Sequence, residues 1–242
     1  MIALIDADSM IYKAGFGCED AIDWGDGDTT YVYDMPSIKK TIDKMIDGIL
    51  FATGCDSFEL HLSGKGNFRY DVASDYKHNR TDTRKPEWID ATKEWMIEHL
   101  GAVLNEGWEA DDMVVYLKTK YPEDYILCAI DKDVLCQTVG THYNYGKQTE
   151  HTTLEWDALK FKYLQTIAGD SVDGYKGVPG LGMKRAEKLL LKCQTERELW
   201  VATLLAYRSK GMKRSEAIAT MRLADMHQLK KNSIVLWTPP QR

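Results

Sequence analysis

Ile2-Ala3-Leu4-Ile5-Asp6-Ala7-Asp8 opens the chain with an unbroken apolar run that ends in two carboxylates. An apolar run without polar alternation reads as a strand buried on both faces, and such strands belong to parallel sheets. The arrangement returns at Tyr125-Ile126-Leu127-Cys128-Ala129-Ile130, which is followed at once by Asp131 and Asp133. Phe58-Glu59-Leu60-His61-Leu62 and Val103-Leu104 read as two more strands. Between them, Ile38 to Ala52 places Ile38, Ile42, Met45, Ile46 and Ile49 at helical spacing. Helical periodicity resumes over Pro86 to Leu100, where Pro86 suits a first turn, and again over Glu109 to Tyr121, whose acids sit at the end the helix dipole favours. Strands alternating with helices predict an α/β fold with a mostly parallel central sheet flanked by helices. Ligands of such sheets gather beyond the carboxyl ends of the strands, where both acidic pairs fall.

The segment Gly15 to Tyr33, rich in Gly and Asp, reads as mobile. From Asp157 onward the pattern is mainly helical, with amphipathic helices between Thr195 and Lys231 and a docked terminal strand at Ile234 to Trp237. Residues 1–150 are therefore expected to form the α/β core and residues 151–242 a helical region packed on it as one unit.

Composition narrows the function. The 242 residues carry 37 acidic against 31 basic side chains, a net charge of -6, which argues against a histone-like coat on nucleic acid. Bound metal ions would reverse the local sign at grouped acids, so a metal-dependent nuclease stays open. Five scattered cysteines form no Cys-x-x-Cys pair, which points to reduced thiols and not a zinc site. Met1 to Asp8 lacks the basic start and long apolar run of a secretory signal, and no segment reaches the length of a membrane span. The expectation is a soluble, cytoplasmic protein.

Four acidic groups stand out: Asp6 with Asp8; Glu109, Asp111 and Asp112; Asp131 with Asp133; Asp170 with Asp173. Each by itself fits a helix cap or a solvated loop. Together, two follow apolar strands and a third opens a helix. Gathered carboxylates repel one another unless divalent cations or water offset the charge. Magnesium prefers oxygen ligands, and a pair of such ions can activate water against a phosphodiester. None of the six histidines shows ligand spacing.

Gly177-Val178-Pro179-Gly180-Leu181-Gly182 precedes the helical run that begins Met183-Lys184-Arg185. A glycine turn before a helix can aim amides at a phosphate, and Lys184, Arg185 and Lys188 add charge. The reading is a helix–hairpin–helix clamp on a nucleic-acid backbone. Tyr76-Lys77-His78-Asn79-Arg80, with Arg84 and Lys85 beyond it, combines cations that hold phosphates with an aromatic that could stack on an unpaired base. A solvated surface loop is the competing reading there.

These segments together resemble the 5′-nuclease family, the flap endonucleases and 5′→3′ exonucleases, and especially small bacteriophage exonucleases. The resemblance rests on Leu4 to Asp8, Lys65-Gly66-Asn67-Phe68-Arg69, Tyr76 to Arg80, Glu109-Ala110-Asp111-Asp112, Asp131-Lys132-Asp133, Gly169 to Asp173 and Gly177 to Leu190, in family order over about residues 1–192. It implies a PIN-like nuclease core with a helical arch, and a potassium ion at the helix–hairpin–helix. It implies two magnesium or manganese ions: Asp6, Glu109 and Asp111 at the first, Asp131, Asp133, Asp170 and Asp173 at the second, and Asp112 near both. Asp6, Asp111 and Asp131 would be catalytic, with Lys77 and Arg80 stabilising charge on the scissile phosphate and Tyr76 packing on terminal bases. Gly177, Gly180, Gly182, Lys184 and Arg185 would contact DNA. The implied substrate is duplex DNA with a 5′ end, flap or branch, in a host cytoplasm if the chain is phage-encoded. One departure is Leu62-Ser63-Gly64-Lys65-Gly66, which lacks the acid that many members carry on the second strand, so either the first ion is held more weakly or Asp8 or a water completes its set. A non-catalytic binder of branched DNA and a PIN-type ribonuclease are the alternatives.

Overall fold

The computed structural model describes residues 1–25, 27–80, 84–85, 88–231 and 233–241. In chain order the first elements are β1 (Ile2–Asp6), α1 (Asp8–Gly17), β2 (Glu19–Asp23), β3 (Thr29–Tyr33), α2 (Met35–Thr53) and β4 (Ser57–Ser63). Next come α3 (Arg69–Val72), α4 (Ile89–Leu100), β5 (Val103–Asn105), α5 (Ala110–Lys120) and β6 (Tyr125–Cys128). Then follow α6 (Lys132–Gln137), β7 (Gly140–Asn144), β8 (Thr149–Thr153), α7 (Glu155–Ala168), β9 (Gly169–Asp170) and β10 (Tyr175–Lys176). The chain closes with α8 (Met183–Leu190), α9 (Glu196–Arg208), α10 (Arg214–Ala224), β11 (Leu229–Lys230) and β12 (Ser233–Ile234).

Two compact units divide the chain. One comprises residues 1–65, 84–135 and 141–151, and the other residues 66–83, 136–140 and 152–242. The division differs from a single cut after residue 150, because the basic stretch after Lys65 belongs to the helical unit.

The first unit holds a six-stranded sheet in the order β5-β4-β1-β6-β7-β8. β1 pairs in parallel with β4 on one side and β6 on the other, so it lies inside the sheet and needs apolar side chains on both faces. Ala3, Leu4 and Ile5 are fully buried, which is why the opening run has no polar alternation. Ile38, Ile42, Ile46 and Ile49 turn one stripe of α2 into the same core. Trp88 fills the space beside α1 so closely that a Cβ on Gly15 would lie 1.3 Å from its ring. The expected first-turn Pro86 lies outside the described residues, and α4 begins at Ile89.

Two expectations are corrected in this unit. The segment predicted to be mobile is a β2–β3 antiparallel hairpin, formed by a β-branched and aromatic run, Thr29 to Tyr33, turning back onto Glu19 to Asp23. Strand β6 stops at Cys128, and the sheet extends through β7 and β8, which the sequence reading did not anticipate.

In the second unit, α7 to α10 bury one cluster around Tyr163, Ile167, Leu199, Trp200, Tyr207 and Met221. Trp237 docks here, edge-on to Trp200 at 5.1 Å and to Tyr163 at 6.3 Å. It does so after the short β11–β12 ladder, so the terminal strand is smaller than expected. The stretch after Lys65 holds, in its described residues, α3 and a 3-10 turn at His78–Arg80. No helix among the described residues is long and apolar enough to cross a membrane.

Candidate active site

Asp6 ends β1 with 1% of its surface exposed, and its Oδ1 has no hydrogen-bond partner. Burial first, then the charges of Asp8 and Asp131, push its carboxyl up to about 8, against hydrogen bonds from the Asp8 backbone and the Asp111 side chain. The parallel sheet accounts for this meeting. β1 and β6 lie side by side, so their carboxyl ends bring Asp6 and Asp131 together. Tyr145 fixes the strand end by donating its hydroxyl to the Asp6 carbonyl at 2.8 Å.

Asp8, a candidate to complete the first ion's set, reaches the end of β4. Its carboxylate accepts the Ser63 amide at 3.1 and 3.2 Å and pairs with Lys93 at 3.4 Å. Ser63 lies in the segment where the resemblance would place a strand-two acid. Its hydroxyl accepts the Ala110 amide at 2.9 Å and so helps open α5. Lys93 also donates to the Ser63 carbonyl at 2.7 Å, a role no local pattern announced, since it depends on α4 lying beside β4.

At the start of α5, Glu109 and Asp112 form a reciprocal capping box, with the Glu109 amide donating to Asp112 at 3.2 Å. Asp112 is fully buried. Asp131 accepts the Asp133 amide at 2.8 Å, and Asp133, 7% exposed, faces Lys132 at 3.8 Å.

In the second unit, Asp170 accepts the amides of Val172 and Asp173 at 2.7 and 3.2 Å, which shapes the turn between β9 and β10. Asp173 is held by three side chains: Arg80 at 2.6 Å, Lys77 at 3.6 Å and the Tyr76 hydroxyl at 2.8 Å. The Lys77 amide also donates to the Asp173 carbonyl at 2.9 Å, with Lys77 at the left-handed φ of 57°. Tyr76 is 3% exposed, packed edge-on to Tyr70 at 6.0 Å and clustered with Tyr175 and Leu223. The expectation that Tyr76 packs on terminal bases is corrected here, because its ring is interior.

The glycine turn separates into two roles. Gly177 serves close packing: a Cβ there would lie 2.3 Å from the Gly169 amide and the Ile167 carbonyl. The glycine thus allows close backbone packing at this point, and the residue itself is half-buried. Gly180 is exposed and its carbonyl accepts Arg185 at 2.7 Å. Gly182 caps α8 without a side chain, and Lys184 and Arg185 are exposed in the first turn. Helices α7 and α8 flank this turn and share one core.

The donor set is all oxygen, which suits hard divalent cations, and the bare Asp6 Oδ1 is a buried acceptor such an ion would satisfy. Among the described residues, however, no group of three or more Asp, Glu, His or Cys is arranged to hold a metal. Amides, a capping contact and cations engage Asp8, Asp112, Asp131, Asp170 and Asp173, while Asp6 Oδ1 is left bare.

No family model matches the chain. It is 27% identical over 170 residues to the flap endonuclease Xni of Vibrio parahaemolyticus, covering 63% of this chain and 65% of that protein. The chain is thus similar to proteins named as 5′ nucleases. The 5′-3′ exonuclease of Bacillus subtilis is another of these 5′-nuclease relatives, 29% identical over 189 residues, which are 68% of this chain and 62% of that one. The chain thus matches less than two thirds of the length of these curated relatives. The bacteriophage T5 D15 protein, crystallised with metal ions, superposes with a TM-score of 0.66 at 16% identity, over 93% of this chain and 89% of that one. The same protein in a complex with DNA and metal ions gives 0.63. The fold is that of the 5′ nucleases.

Proposed function

We propose that the chain is a divalent-metal-dependent 5′ nuclease that hydrolyses DNA as a 5′→3′ exonuclease, a flap endonuclease or both, in the cytoplasm. The observation that carries this reading is the buried Asp6 carboxyl, bearing the charges of Asp8 and Asp131 and touching Asp111 at the carboxyl edge of a parallel sheet. Relatives named for flap endonuclease and 5′-3′ exonuclease activity support it, as does a T5 neighbour bound to DNA and metal ions.

Two magnesium or manganese ions, when bound, would supply an activated water and neutralise the leaving oxygen. Asp6, Glu109 and Asp111 would hold one, and Asp131, Asp133, Asp170 and Asp173 the other, with Asp112 near both. Lys77 and Arg80 already seat a carboxylate, that of Asp173, and a phosphate oxygen is the same kind of partner for them. α7, the glycine turn and α8 serve as the helix–hairpin–helix, with Gly180, Gly182, Lys184 and Arg185 against the backbone of a duplex bearing a 5′ end, flap or branch, and a potassium ion at the turn.

The engagement of Asp173 by three side chains favours one second reading, a non-catalytic binder of branched DNA. Cleavage of 5′-labelled flap, duplex, single-stranded DNA and RNA, with magnesium or with chelator, separates the readings. Metal-dependent release of short 5′-phosphorylated DNA products is expected, and Asp131→Asn should lower the rate by about two orders of magnitude or more with DNA binding retained. Tight DNA binding without cleavage in magnesium or manganese would establish the binder, and cleavage of the RNA alone a ribonuclease.

A further inference from the structure

The hairpin β2–β3 plays no part in the proposed chemistry, yet the sequence stretch that contains it, residues 19–34, carries the chain's net charge. Glu19, Asp20, Asp23, Asp26, Asp28 and Asp34 lie in a stretch without a single Lys, Arg or His. Setting those six aside leaves 31 acidic against 31 basic residues, so the whole formal charge of -6 resides there. The two strands form a sheet of their own. A two-stranded ribbon is marginal in water unless something packs on it.

Its two faces differ. The register pairs Glu19 with Tyr33 and Ala21 with Tyr31 on one face. Arg84 anchors that face, ion-paired to Glu19 and lying 3.7 Å from the Tyr31 ring. The opposite face carries Asp20, Ile22 and Val32, continued by Trp24, whose indole N–H donates to Thr30 at 3.0 Å. Ile22 is 39% exposed, Val32 49% and Trp24 64%. An aromatic and two aliphatic side chains are thus held in water by a well-formed ribbon amid unbalanced negative charge.

We infer that this face docks a basic, extended segment of a partner protein, with its Lys or Arg side chains against the hairpin acids and its apolar residues on Trp24, Ile22 and Val32. The open edges of the ribbon allow such a segment to add as a further strand. Charge selects among occupants. Nucleic acid and anionic membranes are repelled, and a second copy would bring two such hairpins together in an unfavourable like-charge contact.

The test needs neither DNA nor metal. A fluorescein-labelled peptide alternating Lys and Val is titrated into the intact protein and read by anisotropy, beside a Glu/Val peptide and a labelled thymidine oligonucleotide. Saturable binding of the Lys/Val peptide alone is expected, with slowed hydrogen exchange at the amides of residues 19–33. Trp24→Ser should weaken it by about tenfold or more, as for a central aromatic anchor. Asp20→Lys should weaken it while leaving the apolar contacts, so loss of the ribbon by Trp24→Ser cannot be mistaken for loss of the site. Equal binding of the Glu/Val peptide or the oligonucleotide would overturn the inference. So would unchanged affinity in both variants, or self-association in sedimentation that Trp24→Ser abolishes.

Discussion

Replacing Asp6 by Asn removes a buried carboxyl that the charges of Asp8 and Asp131 oppose. Metal-free protein should therefore melt at a higher temperature as the Asn variant, while the rise in melting temperature that magnesium gives the wild type should disappear. Differential scanning fluorimetry with and without magnesium checks both halves. Glu59 behaves in the opposite sense. The His61 hydrogen bond at 2.9 Å, opposed by burial and reinforced by Tyr125 at 3.0 Å, holds its carboxyl below the usual 4.5. A depressed folded value means that the unfolded chain binds more protons as pH drops. The stability Glu59 contributes is present above 4.5 and lost as pH falls through the lower folded value. Urea melts of Glu59→Gln should converge on the wild type in that acid window and fall short of it near neutrality. Residue identity made Asp6 a candidate from the sequence. It could not show that Asp8 would turn to Ser63 and Lys93, because those partners lie on β4 and α4.

At the scale of elements, legibility followed periodicity. β1 and α2 were readable because full burial of an inner strand and a helical stripe of isoleucines each leave a pattern in consecutive residues. β2–β3 and β7–β8 were not, since an exposed ribbon and the edge strand β8 tolerate mixed side chains, and β7, though inside the sheet, buries the polar His142 and Asn144 beside Tyr143. The contact of α1 with Trp88 is equally silent in sequence. Gly15→Ala places a methyl where the indole sits, and should cost about 1–3 kcal/mol in urea unfolding through overpacking. The exposed first turn of α8 offers a complementary test. Lys184→Ala should weaken duplex DNA binding and reduce the slope of log affinity against log salt by about one, as expected for one lost phosphate contact. An unchanged slope would count against the clamp.

For the whole molecule, composition alone is misleading, because a net charge of -6 is an average over one acidic stretch, residues 19–34, and an otherwise balanced chain. Changing Asp20, Asp23 and Asp28 to Asn should speed association with DNA at low ionic strength in stopped-flow measurements. The gain should fade as salt shortens the screening length to about 3 Å near 1 M. Sequence by itself determined that strands ending in acids alternate with helices, and so the parallel α/β class, since burial periodicity and residue chemistry are written locally. Only the tertiary structure decided which carboxylates meet Asp6, that Asp173 is clasped by Lys77 and Arg80, and that Tyr76 is interior. Those facts depend on neighbours tens of residues away along the chain, and packing, not local pattern, selects such neighbours.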